Sequence, residues 1–252
     1  LRHMVRRLER EGVGLVTSFI RGTHGRGLGG ALESYQLNTF VLGGVAAVSG
    51  LFTRVCAVGK SMLLRRADLE RIGGLPELGR YLAEDQVCGE LIRGLGREVE
   101  VCPEPIDNVL GYVSLRSFVS RHLRWARIRR RIAPAGYIGE LLTNPLPPAV
   151  ALLAVAPGPG AAALLGLTVA LLAAAAAAGE RRLGVRRPLL HYPPLAVLRG
   201  LLVAVLWPLP FVSSTGHWRG RSFRIGSRTL LLPDEPWLGD ELAELSPEEA
   251  VA

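Results

Sequence analysis

The uncharged stretch at residues 141–178 limits the fold more than any other feature of this sequence. One continuous helix over it would be about 57 Å long, roughly twice the ~30 Å hydrocarbon core of a bilayer. A Pro-Gly-Pro-Gly sequence at residues 157–160 interrupts the stretch near its middle. We therefore predict a transmembrane hairpin, with a second helix over residues 161–178 and a first helix that includes residues 137–140 or lies partly in the interface.

Arginine clusters flank this predicted hairpin on both sides, at residues 121–131 and 181–187. The positive-inside rule places both clusters on the cytoplasmic side. A third apolar stretch at residues 195–214 contains Arg199 and two prolines. If it crossed the membrane, the basic residues after Trp218 would lie outside, against the same rule. We predict that it is re-entrant or interfacial, with a third crossing as the alternative.

Composition excludes several functional classes. A hydrophobic fraction of 49% argues against a disordered chain, and three cysteines without a Cys-x-x-Cys pair argue against a disulfide scaffold or a zinc module. The net charge of +8 would suit nucleic acid. However, the arginines flank apolar segments instead of alternating with stacking aromatic residues. We expect contact with the bilayer and no nucleic-acid partner.

The first 135 residues alternate between strand-like and helical patterns, which predicts a layered α/β domain. We interpret the glycine-rich segment at residues 22–30 as a mobile loop, because it lacks the Lys-Ser/Thr ending of a phosphate loop. The predicted strands are at 13–17, 55–58, 61–64 and 98–102, and the predicted helices are at 31–42, 67–72 and 84–95.

Two adjacent carboxylates, Glu84 and Asp85, stand at the predicted start of a helix. The free N–H groups of a helix N-terminus favour negative charge, so a capped helix is one interpretation. The other is a general base at a loop-to-helix junction, able to take a proton from an attacking hydroxyl. Gly59, Lys60 and Ser61 are candidates for lining the substrate cleft, although a lysine between two strands also fits a solvated turn.

A second candidate site is Arg121-x-x-Arg124-Trp125, on a helix whose apolar stripe is flanked by arginines. An interfacial helix that meets anionic lipid headgroups explains this pattern. Phosphate binding also explains it, because arginine forms forked, charge-assisted hydrogen bonds to phosphate oxygens and can neutralise a diphosphate leaving group.

Seven segments occur in a characteristic order over residues 1–232. They are Val-Gly-Leu-Val-Thr at 13–17, Leu-Glu at 32–33 with Asn-Thr-Phe at 38–40, Gly-Lys-Ser-Met-Leu-Leu-Arg at 59–65, Gly-Gly-Leu at 73–75, Tyr-Leu-Ala-Glu-Asp at 81–85, Arg-x-x-Arg-Trp at 121–125 and Trp-Arg-Gly-Arg-Ser-Phe-Arg at 218–224. This set resembles the ceramide glucosyltransferase family, membrane-bound enzymes of the A-type glycosyltransferase fold with hopanoid-modifying bacterial relatives.

The resemblance implies that Asp85 is the catalytic base and that Arg121, Arg124 and Trp125 lie by the sugar nucleotide and the acceptor. It also implies inverting transfer of a hexose, with glucose expected, from a UDP-sugar to the primary hydroxyl of a membrane lipid. Ceramide is the expected acceptor, and a hopanoid or another lipid alcohol is the alternative. An arginine at position 121 is typical of the lipid-glycosylating branch, whereas processive polysaccharide synthases usually have glutamine there.

The resemblance further implies two aspartate motifs upstream of Leu1, which would bind a divalent metal, Mg²⁺ or Mn²⁺, and the nucleotide. We therefore expect a truncated, Rossmann-like domain that has no metal ligand of its own and is inactive alone. We divide the chain into half of a catalytic domain at 1–117, interfacial helices at 118–140, the hairpin at 141–178, a basic loop with the third apolar segment at 179–216, and a basic segment with an acidic tail at 217–252.

The composition, rich in alanine, arginine and glycine, suggests a bacterial source. We therefore expect an integral protein of the bacterial inner membrane with a cytoplasmic catalytic part. Two other hypotheses remain at this point, a processive polysaccharide synthase and a non-catalytic, membrane-anchored basic module. Sequence alone leaves the oligomeric state open.

Overall fold

The computed structural model describes residues 1–51, 56–213, 215–218 and 221–233. An α/β part comes first, as predicted, and apolar helices follow it. The α/β part contains α1 (Arg2–Leu8), β1 (Val13–Arg26), α2 (Gly27–Gln36), a π-helical turn (Leu37–Val41), α3 (Leu42–Leu51), β2 (Met62–Leu64), α4 (Arg66–Arg71), α5 (Gly74–Leu78), α6 (Glu84–Gly94) and β3 (Glu98–Tyr112). Val55, residues 219–220 and the acidic tail from residue 234 onward lie outside the described residues.

The remaining elements begin with two amphipathic helices and end with a small sheet. They are α7 (Leu115–Ile132), α8 (Pro134–Leu142), α9 (Leu146–Val155), α10 (Pro159–Arg182), a 3₁₀ turn (Leu189–His191), α11 (Tyr192–Leu206), α12 (Leu209–Val212), β4 (Thr215–Trp218), β5 (Arg221–Ile225), a 3₁₀ turn (Ser227–Thr229) and β6 (Leu231–Pro233). The last three strands form an antiparallel sheet in the order β4-β5-β6.

The main sheet has the order β2-β1-β3, with β1 in the centre. β2 pairs antiparallel with the start of β1, and β3 runs parallel to β1 as far as Arg26. A parallel neighbour requires a crossover connection, and the helices between β1 and β3 supply it. Leu15 of β1 and Cys88 and Ile92 of α6 are buried in one cluster against this sheet.

The interpretation of residues 22–30 as a mobile loop is wrong. Gly22 to Arg26 belong to β1 and pair with β3, and α2 begins at Gly27. The glycines allow close backbone approach, because a Cβ at Gly25 would collide with the carbonyl of Gly30, and one at Gly29 with the carbonyl of Val113. These contacts bring the start of α2 against β1.

The shorter predicted elements are mostly confirmed with shifted ends. The helices at 67–72 and 84–95 are α4 and α6, and the helix at 31–42 begins four residues early, at Gly27. The strand at 61–64 is β2, but Cys56 to Val58 form no strand. The reason is local, because Thr17 Oγ1 accepts from the N–H of Val58 at 3.0 Å and lies 2.9 Å from its carbonyl oxygen. The Thr17 hydroxyl therefore binds the backbone groups of Val58 that a strand would pair with a neighbouring strand.

Two segments of the described chain are long and apolar enough to cross a membrane, α10 and Leu189–Val212. The pair α8 and α9 passes the same criterion together but is bent by 47°. The predicted hairpin thus consists of this bent pair and α10. Leu189–Val212 is long enough for the third crossing that was the alternative. The re-entrant or interfacial path of residues 195–214 therefore stays a prediction. These helices indicate membrane association.

The apolar helices pack directly on the α/β part. Leu32 and Tyr35 of α2 and Phe118 of α7 share a buried cluster with Ala173 and Ala177 of α10 and with residues of α11. α2 packs on the main sheet and on α11, and α7, which carries the arginine motif, packs on α2 and α11.

Candidate active site

Asp85 lies in the first turn of α6, the helix that the carboxylate pair predicts. Val87, Cys88 and Ile92 form the buried face of α6. Gly96, with a φ of +77°, follows the end of the helix. Acidic residues in a first turn are stabilised by the free N–H groups and the helix dipole. The local sequence therefore determines where α6 begins and, with it, where the side chain of Asp85 projects.

Backbone N–H groups hold both oxygens of the Asp85 carboxylate. Oδ2 accepts from the N–H of Gly59 at 2.8 Å, and Oδ1 accepts from the N–H of Gln86 at 2.7 Å. A Cβ at position 59 would lie 3.0 Å from Oδ2, so glycine permits this approach. Burial raises the pKa of Asp85, and these hydrogen bonds offset only part of that rise. The result is a fixed carboxylate that is more basic than an ordinary aspartate.

The other residues predicted to line the cleft point in different directions. Lys60 is exposed, and Ser61 directs its hydroxyl toward Met4 Sδ at 3.4 Å. Of the segment at 59–61, Gly59 is the residue that contacts Asp85. Glu84 is exposed, and its charge and that of Arg124 are close enough to stabilise each other. This attraction links the start of α6 to α7.

Helix α7 begins at Ser114, whose side chain accepts a hydrogen bond from the N–H of Ser117 at 3.1 Å. Buried Glu33 of α2 holds the helix on one side. Its Oε1 accepts from Arg121 Nη1 at 2.8 Å, and its Oε2 lies 3.0 Å from His122 Nε2. Arg121 is therefore paired with Glu33, while 34% of its side chain stays exposed. Its place beside the sugar nucleotide and the acceptor stays a prediction.

The Glu33 carboxylate is fully buried yet stays ionised. Burial raises its pKa, but hydrogen bonds and charge from His122 and Arg121 outweigh burial and hold the pKa below its usual range. Burial lowers the pKa of His122, so a neutral imidazole donates its Nε2–H to Glu33. Trp125 packs edge-on against His122, with ring centroids 5.1 Å apart. Glu33 thus sets the rotation of α7 about its axis.

An open groove of about 530 Å³ runs along the opposite side of α7. Apolar side chains and three arginines line it, namely Leu115, Arg116, Val119, Ser120, Leu123, Arg124 and Arg127. Burial lowers the pKa of Arg124 and of Arg127, which means that both charges are partly shielded from water. A guanidinium in such a setting attracts an anion more strongly than one in bulk solvent. Of the three residues singled out in the predicted motif, Arg121, Arg124 and Trp125, Arg124 lines this groove, and its charge interacts with that of Glu84.

The family model for glycosyl transferase family 21 matches residues 1–231 of the chain. The chain belongs to this family. Membership confirms the resemblance to ceramide glucosyltransferases and favours an enzyme over a non-catalytic membrane module. Ceramide glucosyltransferase 3 of Caenorhabditis elegans is 30% identical over 93 residues, which are 37% of this chain and 20% of the relative.

Ceramide glucosyltransferase 1 of the same organism is 29% identical over 90 residues, 36% of this chain and 19% of that protein. Each match therefore spans about a fifth of the curated relative's length. No solved structure matches this family 21 chain.

No group of three or more His, Cys, Asp or Glu side chains that could hold a metal ion occurs in the part of this family 21 chain that the structure describes. The two carboxylates at the start of α6 are used by backbone N–H groups and by the charge of Arg124. This donor set does not fit the Mg²⁺ or Mn²⁺ that the resemblance implies, so such an ion would need other ligands.

Proposed function

We propose that this chain contributes the base and a phosphate-binding groove to a membrane-bound enzyme that transfers a hexose, with glucose expected, from a UDP-sugar to the primary hydroxyl of a lipid. The expected lipid is ceramide, and a hopanoid or another lipid alcohol is the alternative. One observation carries the proposal, the carboxylate of Asp85 held by Gly59 and Gln86, directly after Glu84, whose charge interacts with that of Arg124 in the groove of α7. We further propose a cytoplasmic catalytic part at a bacterial inner membrane.

The proposed reaction is a single inverting displacement. Asp85 takes the proton of the lipid hydroxyl while the oxygen of that hydroxyl attacks the anomeric carbon. The bond from the anomeric carbon to the diphosphate breaks in the same step. The raised pKa of Asp85 makes its carboxylate a stronger base than that of an ordinary aspartate. Arg124 would stabilise the negative charge that grows on the departing UDP.

The packing of the membrane helices supports a lipid acceptor. α10 and α11 lie directly against α2 and α7, so the helix that carries the arginine motif adjoins the apolar helices. The ion pair between Arg121 and Glu33 supports the lipid branch over a processive polysaccharide synthase, because a glutamine at 121 would leave the buried carboxylate without its positive partner.

The test is a transfer assay with membranes that contain the intact enzyme. Radiolabelled UDP-glucose and other UDP-sugars are offered with ceramide, with a hopanoid polyol and without lipid, and the product's anomeric configuration is read by NMR. We expect label in a glycolipid whose anomeric configuration is inverted. Label in a long polysaccharide would support the synthase, and retained configuration would overturn the displacement mechanism.

Arg124→Lys separates phosphate binding from simple attraction to the membrane. Lysine keeps the charge but loses the forked geometry, so we expect kcat/KM for the UDP-sugar to fall about tenfold or more. The matched control is Arg131→Lys, at an exposed arginine on the same helix, for which we expect less than about a twofold change. Equal, small effects of both variants would show that Arg124 acts only through attraction to the membrane.

A further inference from the structure

Residues 227–231, here called the return segment, come back from the membrane helices to the turn that precedes α6. The N–H of Leu82 donates to the carbonyl of Thr229 at 2.9 Å, and the N–H of Ala83 donates to Thr229 Oγ1 at 3.2 Å. Thr229 thus binds two successive N–H groups directly before Glu84 and Asp85. These are the last two residues before the helix that carries the base.

Two further contacts hold the return segment in place. The N–H of Leu231 donates to the carbonyl of Arg80 at 2.8 Å, and Tyr81 pairs with Leu230 in an isolated β-bridge. Arg228 also forms an ion pair of 2.8 Å with Glu90 of α6, but the Arg228 side chain is largely exposed and that of Glu90 is partly exposed, so this pair adds little. The backbone contacts are the ones that fix the turn.

Thr229 has an unusual conformation for its residue type. Its φ is +65°, in the left-handed region that β-branched residues rarely occupy, and the residue is fully buried. Such a conformation persists only where the surroundings determine it, and it occurs preferentially at functional sites. The hydroxyl has a specific use here, because Ala83 is buried and its N–H would lack a partner without it.

We propose that Thr229 is a positioning residue for Asp85. By holding Leu82 and Ala83, it determines where α6 begins and therefore how the carboxylate faces the attacking hydroxyl. Because the return segment follows α12, the position of the base is tied to the membrane part of the chain. This inference rests on the proposed function, in which Asp85 is the base.

The test compares Thr229→Val with Thr229→Ser in the intact enzyme. Valine keeps the shape and the β-branch but lacks the acceptor, so we expect kcat to fall about tenfold or more through misplacement of the base. KM for the UDP-sugar is expected to change less than kcat, because Arg124 and the other side chains of the groove are not substituted. Serine keeps the hydroxyl and is expected to retain kcat within about twofold.

Two additional variants separate positioning from folding. Thr143→Val makes the same change at an exposed threonine whose hydroxyl bonds to the carbonyl of Glu140, and we expect normal kcat. Thr229→Gly removes the hydroxyl while relieving the left-handed backbone, so it folds even if the valine variant does not, and we expect the same loss of kcat. Normal kcat in the folded valine or glycine variant would overturn the inference.

The failure of this inference differs from the failure of the proposed function. If Asp85→Asn is inactive while Thr229→Val turns over normally, the positioning role is overturned and the base assignment survives. If Asp85→Asn keeps its turnover, the proposed mechanism fails, and the role of Thr229 in positioning a base fails with it. A fall in kcat for Thr229→Val that serine rescues, together with inactive Asp85→Asn, supports both.

Discussion

Replacing Asp85 with asparagine is expected to lower kcat by about 10²- to 10⁴-fold, the usual contribution of general acid–base catalysis. Asparagine has the same shape, and its carbonyl oxygen can still accept the hydrogen bond from Gly59 or Gln86. It cannot take a proton from the lipid hydroxyl. The fold is therefore expected to survive while the chemical step fails, which single-turnover kinetics with a saturating UDP-sugar would measure.

The pH dependence provides the accompanying control. The base works only when Asp85 is deprotonated, and burial raises its pKa above the ordinary value. Activity should therefore be complete above this raised pKa and should fall as the pH drops through it, on an acid limb that begins higher than for an exposed aspartate. Residual activity of Asp85→Asn should lack this limb. An unchanged acid limb in that variant would assign the titration to another group.

Glu84→Gln distinguishes the two neighbouring carboxylates. Glu84 is exposed and attracted to Arg124, so its loss is expected to raise KM for the UDP-sugar more than it lowers kcat. If Glu84→Gln abolishes turnover while Asp85→Asn stays within about tenfold of the wild type, the two roles are reversed. The hydrogen bonds from Gly59 and Gln86 would then serve the helix start alone.

Local signals in the sequence were sufficient for the helix that carries the base. The apolar spacing of α6, its acidic first turn and Gly96 are all contained within one short segment, so the prediction needs no distant partner. The full length of β3 was not predictable in the same way. Residues 103–112 include two prolines and several exposed positions, and they are extended because they pair with residues 20–26 of β1.

Contacts across long sequence distances were not predicted. Glu33 is part of the segment that carries the family resemblance, yet its partner Arg121 lies 88 residues away. The one available signal was a carboxylate among buried positions of an apolar helix, which requires a positive partner. Thr229 had no signal at all, because its backbone conformation and its contact with Ala83, 146 residues away, arise only in the folded chain.

A second large effect is expected at Glu180, near the end of α10. This carboxylate is fully buried. It accepts hydrogen bonds from Arg187 Nε at 3.0 Å, from the Tyr192 hydroxyl at 2.9 Å and from Asn38 Nδ2 at 3.0 Å. Asn38 also binds the N–H of Gly22 in β1 at 2.7 Å. We call these residues, Asn38, Glu180, Arg187 and Tyr192, the polar clamp, because they join a membrane helix to the central strand.

Glu180→Gln is expected to lower the free energy of unfolding by about 3–5 kcal/mol, the usual cost of removing one partner of a buried ion pair. The amide would present its NH₂ group to donors, and Arg187, with only 13% of its side chain exposed, would lose its counter-charge. Thermal unfolding in detergent micelles would measure the change. The control is Glu77→Gln, which breaks a solvent-exposed pair with Arg80 and should leave the melting temperature nearly unchanged.

The double variant Glu180→Leu with Arg187→Met decides whether charge is the main factor in the polar clamp. Removing both ions leaves no uncompensated buried charge, so the pair of substitutions should cost less than the sum of the single ones. Recovery should be incomplete, because Asn38 and Tyr192 still lose their acceptor. Costs that simply add would show that Glu180 and Arg187 stabilise the junction independently.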